Sequence, residues 1–245
     1  MAIVYSTGHT DALVYAIRLL NDAGIEFLPC PDRHATHLLL PVPSFDPDGR
    51  IKGGGSLESL LWQLPEDVVV IGGGLSRPEL AKYQTVDLLE DPGYVAENAA
   101  ITAYCAVRLA MQQLPVMLKH CPTLIVGWGR IGKCLARLLR QMDAAVTVAA
   151  RKETDRAMAK ALGYHAVDTD SLDSRPYRLI FNTVPQLVLE RCPGKAVKID
   201  LASQPGIGGS DVIWARGLPG KDAPESSGAL IAQTVLHYIN KENAV

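Results

Sequence analysis

Between Thr123 and Gly132 the chain reads TLIVGWGRIG, an apolar run of strand length that breaks into Gly127, Gly129 and Gly132 at G-x-G-x-x-G spacing. Three glycines so placed suit a tight passage from a strand into a helix. The first permits the turn, the second lets backbone N–H groups approach a pyrophosphate, and the third lets the helix lie close on the strand. The helix N-terminus then presents partial positive charge to the phosphates. The periodic segment Ile131 to Met142 supplies that helix and the apolar run Ala145 to Ala149 the next strand, which completes a βαβ unit. The turn therefore reads as dinucleotide-binding, with Gly127, Trp128, Gly129, Arg130, Ile131 and Gly132 as cofactor contacts.

The end of the second strand chooses between cofactors. An NAD site places Asp or Glu there to accept from the ribose 2′-OH, whereas a 2′-phosphate calls for positive charge. Here Ala150 is followed by Arg151 and Lys152, and the first acid is Glu153. Arg151 stands 19 residues beyond Gly132, where the ribose-reading residue belongs. A solvated basic pair in a loop is the plain alternative, but the position favours NADP over NAD.

The 245 residues suffice for two small domains. With 48% apolar and 20% charged residues the chain can bury real cores, and a net charge of −2 without a basic stripe leaves a nucleic-acid backbone no electrostatic footprint. The opening MAIVYSTGHTDAL lacks a basic segment followed by an apolar one, and no apolar run reaches membrane-spanning length, so a cytoplasmic location without membrane contact is expected. The cysteines Cys30, Cys105, Cys121, Cys134 and Cys192 are scattered and odd in number, which argues against a disulfide framework and against a zinc site.

In order, Ile3 to Tyr5 reads as a buried strand opening into Ser6, Thr7 and Gly8, followed by helical spacing over Asp11 to Ala23. Strands are expected at Glu26 to Leu28, His37 to Val42, Val68 to Ile71 and Val86 to Leu89, with a helix over Ser56 to Leu64 capped by Ser56. The glycine runs 53–55 and 72–74 fit either a ligand-facing backbone or loop tips. Tyr94 to Met117 forms a long apolar-rich bridge, and after the glycine turn strands follow at Ala166 to Val167, Leu179 to Val184 and Val197 to Leu201. A last helix, Ser227 to Asn240, is long enough to pack back on the bridge. The expected fold is α/β: a C-terminal Rossmann dinucleotide-binding domain (121–223) and a smaller N-terminal open-sheet α/β domain (1–93), joined by a helix (94–120), with residues 224–245 returning toward the N-terminal domain. Ligands of such sheets bind at the carboxyl ends of the strands, which adds Asn182, Thr183, Val184, Pro185 and Asp200 to the cofactor contacts; Asp200 fits a loop-fixing carboxylate better than a base.

Over nearly its whole length the chain resembles a known family. GWGRIG at 127–132, VTVAARK at 146–152, FNTVP at 181–185, IDLASQPG at 199–206 and GLPGKDAPESSG at 217–228 resemble the A-subunit family of dipicolinate synthase, as do LLLPVP at 38–43 and DLLEDPGYVAENAAIT at 87–102. The resemblance implies an NADP-linked oxidation of a cyclic dihydrodipicolinate-type precursor to pyridine-2,6-dicarboxylate in spore formers, with the B subunit of dipicolinate synthase for a partner. The pattern departs at Tyr104 and Cys105, where the family has an acidic residue and glycine, and at Ser6-Thr7-Gly8-His9, where it has a glycine turn. The segment 206–216 also looks too short for the family's helix and strand.

Two other readings compete. A D-2-hydroxyacid dehydrogenase would need Arg, Glu and His in order after the fifth strand of its Rossmann sheet, and beyond Asp200 the only histidine is His237, well inside the last helix. A non-catalytic NADP-binding or regulatory subunit fits the poor supply of acid/base groups, since fold alone does not prove chemistry. On the first reading a small dicarboxylate lies between residues 6–9 and residues 182–185 with Ser203, over Asn98 and Thr102, near the helix N-terminus at Ser226 and Ser227. His9 is then the candidate proton acceptor, with Asn98, Thr102 and Ser203 beside it, and a homo-oligomer is expected.

Overall fold

The computed structural model describes residues 2–172, 177–190 and 195–242, so Cys192 lies outside the described residues. The chain divides into two compact units, Met1–Asn98 with Pro219–Val245, and Ala99–Leu218.

In the first unit β1 (Ile3–Ser6), β2 (Glu26–Leu28), β3 (His37–Leu39), β4 (Val69–Gly72) and β5 (Thr85–Asp87) form one sheet in the order β2-β1-β3-β4-β5. Every pairing is parallel. Helix α1 (Asp11–Asp22) starts where the Thr10 side chain accepts from the Leu13 N–H, and it buries Ala12, Leu13, Ala16 and Leu20, one stripe at helical spacing. Below the sheet Leu38, Leu40, Ile51, Leu64 and Val70 share a core with Leu57, Leu60 and Leu61 of α2 (Leu57–Leu61). Each such buried leucine contributes roughly 1.5–3 kcal/mol relative to exposure. Ser56 precedes α2 as expected but makes no side-chain cap bond.

Both glycine runs have a structural use. A side chain at Gly53 would strike the His9 backbone at 2.6 Å, and one at Gly73 would strike Val42 at 2.7 Å, so the runs let neighbouring loops touch.

The expected bridge is α3 (Pro92–Gln113), divided between the units at Asn98 and Ala99. It begins on a cap: Asp91 Oδ1 accepts from the Tyr94 N–H at 2.6 Å. The short α6 (Leu218–Asp222) leads into the last helix, α7 (Pro224–Glu242), which starts three residues earlier than expected. It packs chiefly on α1, where a side chain at Gly228 would meet the Ala12 carbonyl at 2.5 Å, and it reaches the start of α3 through Tyr238 Oη, which donates to Asp91 Oδ2 at 3.0 Å.

The second unit holds β6 (Pro122–Val126), β7 (Ala145–Ala149), β8 (His165–Val167), β9 (Leu179–Asn182), β10 (Val197–Asp200) and β11 (Val212–Trp214) in the order β11-β10-β9-β6-β7-β8. All are parallel, as a doubly wound sheet requires. The order reverses between β6 and β9, which makes their carboxyl ends the switch point where such sheets open a crevice. Helix α4 (Arg130–Gln141) buries Gly132, Leu135, Ala136 and Leu139 against the sheet, and α5 (Glu153–Ala161) follows β7. Of the sequence reading of 206–216 as too short for the family's helix and strand, β11 corrects the strand; among the described residues no helix lies between β10 and β11. Lys198 of β10, only 4% exposed, pairs with Asp211 Oδ2 at 2.6 Å and ties the segment to the sheet. The Lys198 ammonium in turn holds the Asp211 carboxyl below its ordinary pKa.

The Asp91 cap has a measurable pH signature. The Tyr94 N–H holds its carboxyl below the ordinary pKa, assisted by the Tyr238 hydroxyl and opposed by burial. A depressed carboxyl contributes stability that is present above its unfolded value and lost as pH falls through its folded one. Asp91→Ala should therefore cost about 1 kcal/mol in urea unfolding at neutral pH. The gap to the parent protein should close as pH falls below about 4.

Candidate functional site

The glycine turn follows β6 directly. Gly127 takes φ of +105°, a conformation that side-chain-bearing residues rarely adopt, and its N–H donates to the Ala149 carbonyl of β7 at 2.8 Å. A Cβ there would collide with Thr183 Oγ1, and a Cβ on Gly132 with the Gly127 carbonyl oxygen. Gly129 differs: a Cβ there meets no protein atom within 4 Å. Two glycines are thus demanded by the protein's own packing. The middle one faces open space at the N-terminus of α4, where the sequence reading places the pyrophosphate.

Beside this turn lies a cavity of about 250 Å³. Of the expected cofactor contacts, Gly127, Trp128, Arg151, Lys152, Val184 and Pro185 line it. Arg130 and Ile131 sit in the first turn of α4, Arg130 exposed and Ile131 half-buried. Thr183 packs on Gly127, with its hydroxyl donating to the Val126 carbonyl at 2.9 Å. The Trp128 indole is 6% exposed and meets Tyr164 edge to face, and its Nε1 is buried without a hydrogen-bond partner. A buried orphan donor in a cavity wall is rare in a finished structure.

Asn182 and Asp200, expected to touch the cofactor, have other work. Both are fully buried and neither lines the cavity. Asp200 Oδ1 accepts from Asn182 Nδ2 at 2.9 Å and from the Ala202 N–H at 3.0 Å; Oδ2 accepts from the N–H groups of Gly206 at 2.6 Å and Ile207 at 3.1 Å. Asn182 also donates to the Val184 carbonyl and accepts from the Val184 N–H. With their side-chain polar atoms consumed internally, the pair shapes the two loops at the carboxyl ends of β9 and β10.

Arg156 went unnoticed in the sequence. Its guanidinium donates to the Ala150 carbonyl at 2.8 Å and to the Arg151 carbonyl, and it pairs with Asp168 Oδ2 at 2.6 Å. One side chain thus fastens the Arg151–Lys152 turn to the end of β8. No local spacing signals such a pair, because parallel pairing of β7 and β8 brings the residues together. Asp155 and Thr169 also line the cavity, so a carboxylate lies among the walls that carry the basic pair.

The residues expected around the substrate fall in both units. His9 is exposed between β1 and α1, with its N–H on the Lys52 carbonyl at 3.0 Å, and Asn98 is half-buried on α3; both belong to the first unit. Thr102, buried on α3, and Ser203, exposed after β10, belong to the second. In the first unit a cavity of about 400 Å³ beside Arg33, Trp62 and Tyr83 opens at the amino ends of β4 and β5, the wrong end for a ligand of a parallel sheet. Among the described residues no group of three or more His, Cys, Asp or Glu could hold a metal, and no helix is long and apolar enough to cross a membrane.

Fold and turn together define a two-domain α/β protein whose second unit is a doubly wound parallel sheet with a glycine turn at its switch point. No protein-family model matches the chain. In sequence it is similar to the dipicolinate synthase A-subunit of Bacillus subtilis (strain 168), with 27% identity over 235 residues, 84% of this chain and 78% of that protein. The crystal structure of the Bacillus subtilis dipicolinate synthase A chain superposes with a TM-score of 0.83 at 22% identity, covering 99% of this chain and 97% of that one. A transhydrogenase from Sinorhizobium meliloti shares the fold with a TM-score of 0.68 at 13% identity, covering 98% and 94%. The resemblance read from the sequence therefore holds over most of the chain, in sequence and in fold.

The glycine environments separate two effects by experiment. Gly129→Val should fold normally, because the added atoms meet open space, yet lose dinucleotide binding in a fluorescence titration. Gly132→Val should lower the thermal midpoint whether or not a dinucleotide is added, because the helix must move off the turn.

Proposed function

We propose that the protein is an NADP-dependent oxidoreductase that oxidises a cyclic dihydrodipicolinate-type dicarboxylate to the aromatic pyridine-2,6-dicarboxylate. The coarser part, a nicotinamide-dinucleotide-linked oxidoreductase-like role, is supported by the similarity to the dipicolinate synthase A-subunit, together with the dehydrogenase-type fold. The finer part rests on one observation: Arg151 and Lys152, not an acid, stand at the end of β7 and line the cavity beside the open Gly129.

A bound nicotinamide supplies the hydride acceptor. This chain's own residues bind, orient and shield. The N-terminus of α4 and the glycine turn hold the pyrophosphate, and Arg151 with Lys152 grips the 2′-phosphate, while Asp155 tempers their charge. Val184, Pro185 and Val188 exclude water from the cavity wall. His9 is assigned to take the ring proton, and Asn98, Thr102 and Ser203 to hold the substrate through hydroxyl and amide groups. Because aromatisation supplies driving force, positioning does most of what the protein must contribute. The Bacillus subtilis relative is one subunit of a synthase, which supports pairing with a second, different chain, and a homo-oligomeric assembly in the cytoplasm completes the proposal.

Replacing both Arg151 and Lys152 by Asp should invert cofactor choice. NADP affinity should fall on the order of a hundredfold, as two charge-assisted contacts are lost, while NAD affinity holds or rises. A parent protein that prefers NAD in the same titration would overturn the assignment. Thr102→Val should raise KM for the dicarboxylate with little change in NADP affinity, and His9→Ala should lower turnover, both read from steady-state kinetics.

A further inference from the structure

The loop segments that follow β9 and β10, residues 183–190 and 201–211, contain no lysine or arginine. An anionic substrate bound at this end of the sheet would find no cation on them. Across the segments 183–190 and 201–217, Arg216, two residues beyond the end of β11, is the one basic residue; Lys195, also described in the connection from β9 to β10, lies two residues before the amino end of β10. Its setting is specific. Trp214 pairs with Asp200 in the parallel register of β10 and β11, and Trp214 Nε1 donates to the Ala202 carbonyl at 3.1 Å. The Ala215 N–H donates to the Asp200 carbonyl at 2.8 Å. The indole, 47% exposed, is thus pinned to the loop that carries Ser203, and the Arg216 guanidinium lies over its ring at 5.4 Å.

A cation lying over an indole is attracted by the ring without using its N–H donors, which stay available to a planar acceptor. No carboxylate of the described residues pairs with Arg216, although Arg77, Arg156 and Lys198 each have one. A cation held on a rigid platform, with its donors unspent, at the end of the sheet where ligands bind, is a receptor for an anion. We infer that Arg216, oriented by Trp214, binds a carboxylate of the substrate and makes the site selective for an anionic ring. This rests on the oxidoreductase reading and adds the specificity-determining residue to it. Ser203, on the loop that accepts from Trp214, supplies a hydroxyl donor beside the same platform.

The test is equilibrium binding of pyridine-2,6-dicarboxylate by calorimetry, with NADP saturating, compared with its uncharged analogue pyridine-2,6-dicarboxamide. The parent protein should bind the dicarboxylate and prefer it. Arg216→Gln should weaken dicarboxylate binding by about tenfold or more and abolish the preference over the dicarboxamide. Arg216→Lys should recover part of the affinity, because charge returns without the planar fork. Trp214→Leu should lie between parent and Arg216→Gln, since the cation stays but loses its platform. NADP affinity and thermal midpoint should stay at parent values in both Arg216 variants. Parent-like dicarboxylate binding in Arg216→Gln would overturn the inference and leave the oxidoreductase reading standing. Equal loss of NADP binding would also overturn it, as the arginine would then serve the cofactor or the fold. A parent protein that binds NADP but no dicarboxylate would remove both this inference and the proposed substrate.

Discussion

The Asp200 carboxylate holds the carboxyl end of the second sheet together. Enclosing a carboxylate costs several kcal/mol unless its oxygens are satisfied, and here each accepts two hydrogen bonds. Three of those donors are backbone groups of one loop, so that loop can take few shapes. The fourth is Asn182, which passes the constraint to Val184 and hence to the cavity wall. The Asp200 carbonyl, bonded to the Ala215 N–H, extends it to β11. One enclosed side chain thus sets the loops after β9 and β10 at once, the backbone of the same residue adds the start of the loop after β11, and the residues that line the cavity are held at second hand.

The other half of that sheet end depends on contact between backbones. The carbonyl of Gly127 occupies the position a side chain at residue 132 would need, so α4 rests on the turn, with Gly129 as its N-cap. Here the fixing groups come from the chain itself, and Gly129 faces open space. Arg156 does for the Arg151–Lys152 turn what Asp200 does for the later loops, using carbonyl acceptors and the Asp168 carboxylate. The shape of the Arg151–Lys152 turn therefore depends on a residue that does not line the cavity.

The first unit follows the same economy. Gly53 and Gly73 let loops press together at the carboxyl ends of the strands, and Gly228 lets α7 lie on α1. Ser44 ties two of those loops, accepting from the Gly73 N–H at 2.9 Å while donating to the Pro41 carbonyl at 2.8 Å. His9 is presented by a turn held at both ends, by Lys52 through its N–H and by the Thr10 cap of α1.

By itself the sequence determined whatever is written in local periodicity and in backbone sterics. The run 123–132 specified strand, turn and helix because three glycines at that spacing satisfy few other geometries. The apolar stripes of 11–22 and 130–141 specified their buried faces, and Arg151 and Lys152 were legible as a basic pair because their distance from the turn is set by one βαβ unit. Only the tertiary structure decided what distant residues do to one another. Asp200 and Asn182 are chemically able to touch a cofactor, and only their enclosure shows that their polar atoms are already spent. Strand β11 was missed because three residues carry too weak a pattern, and what holds them is the Lys198–Asp211 pair formed across two strands. Arg156 with Asp168, and Trp214 with Asp200 and Ala202, are invisible to any spacing rule, since parallel pairing sets residues side by side that the chain keeps far apart.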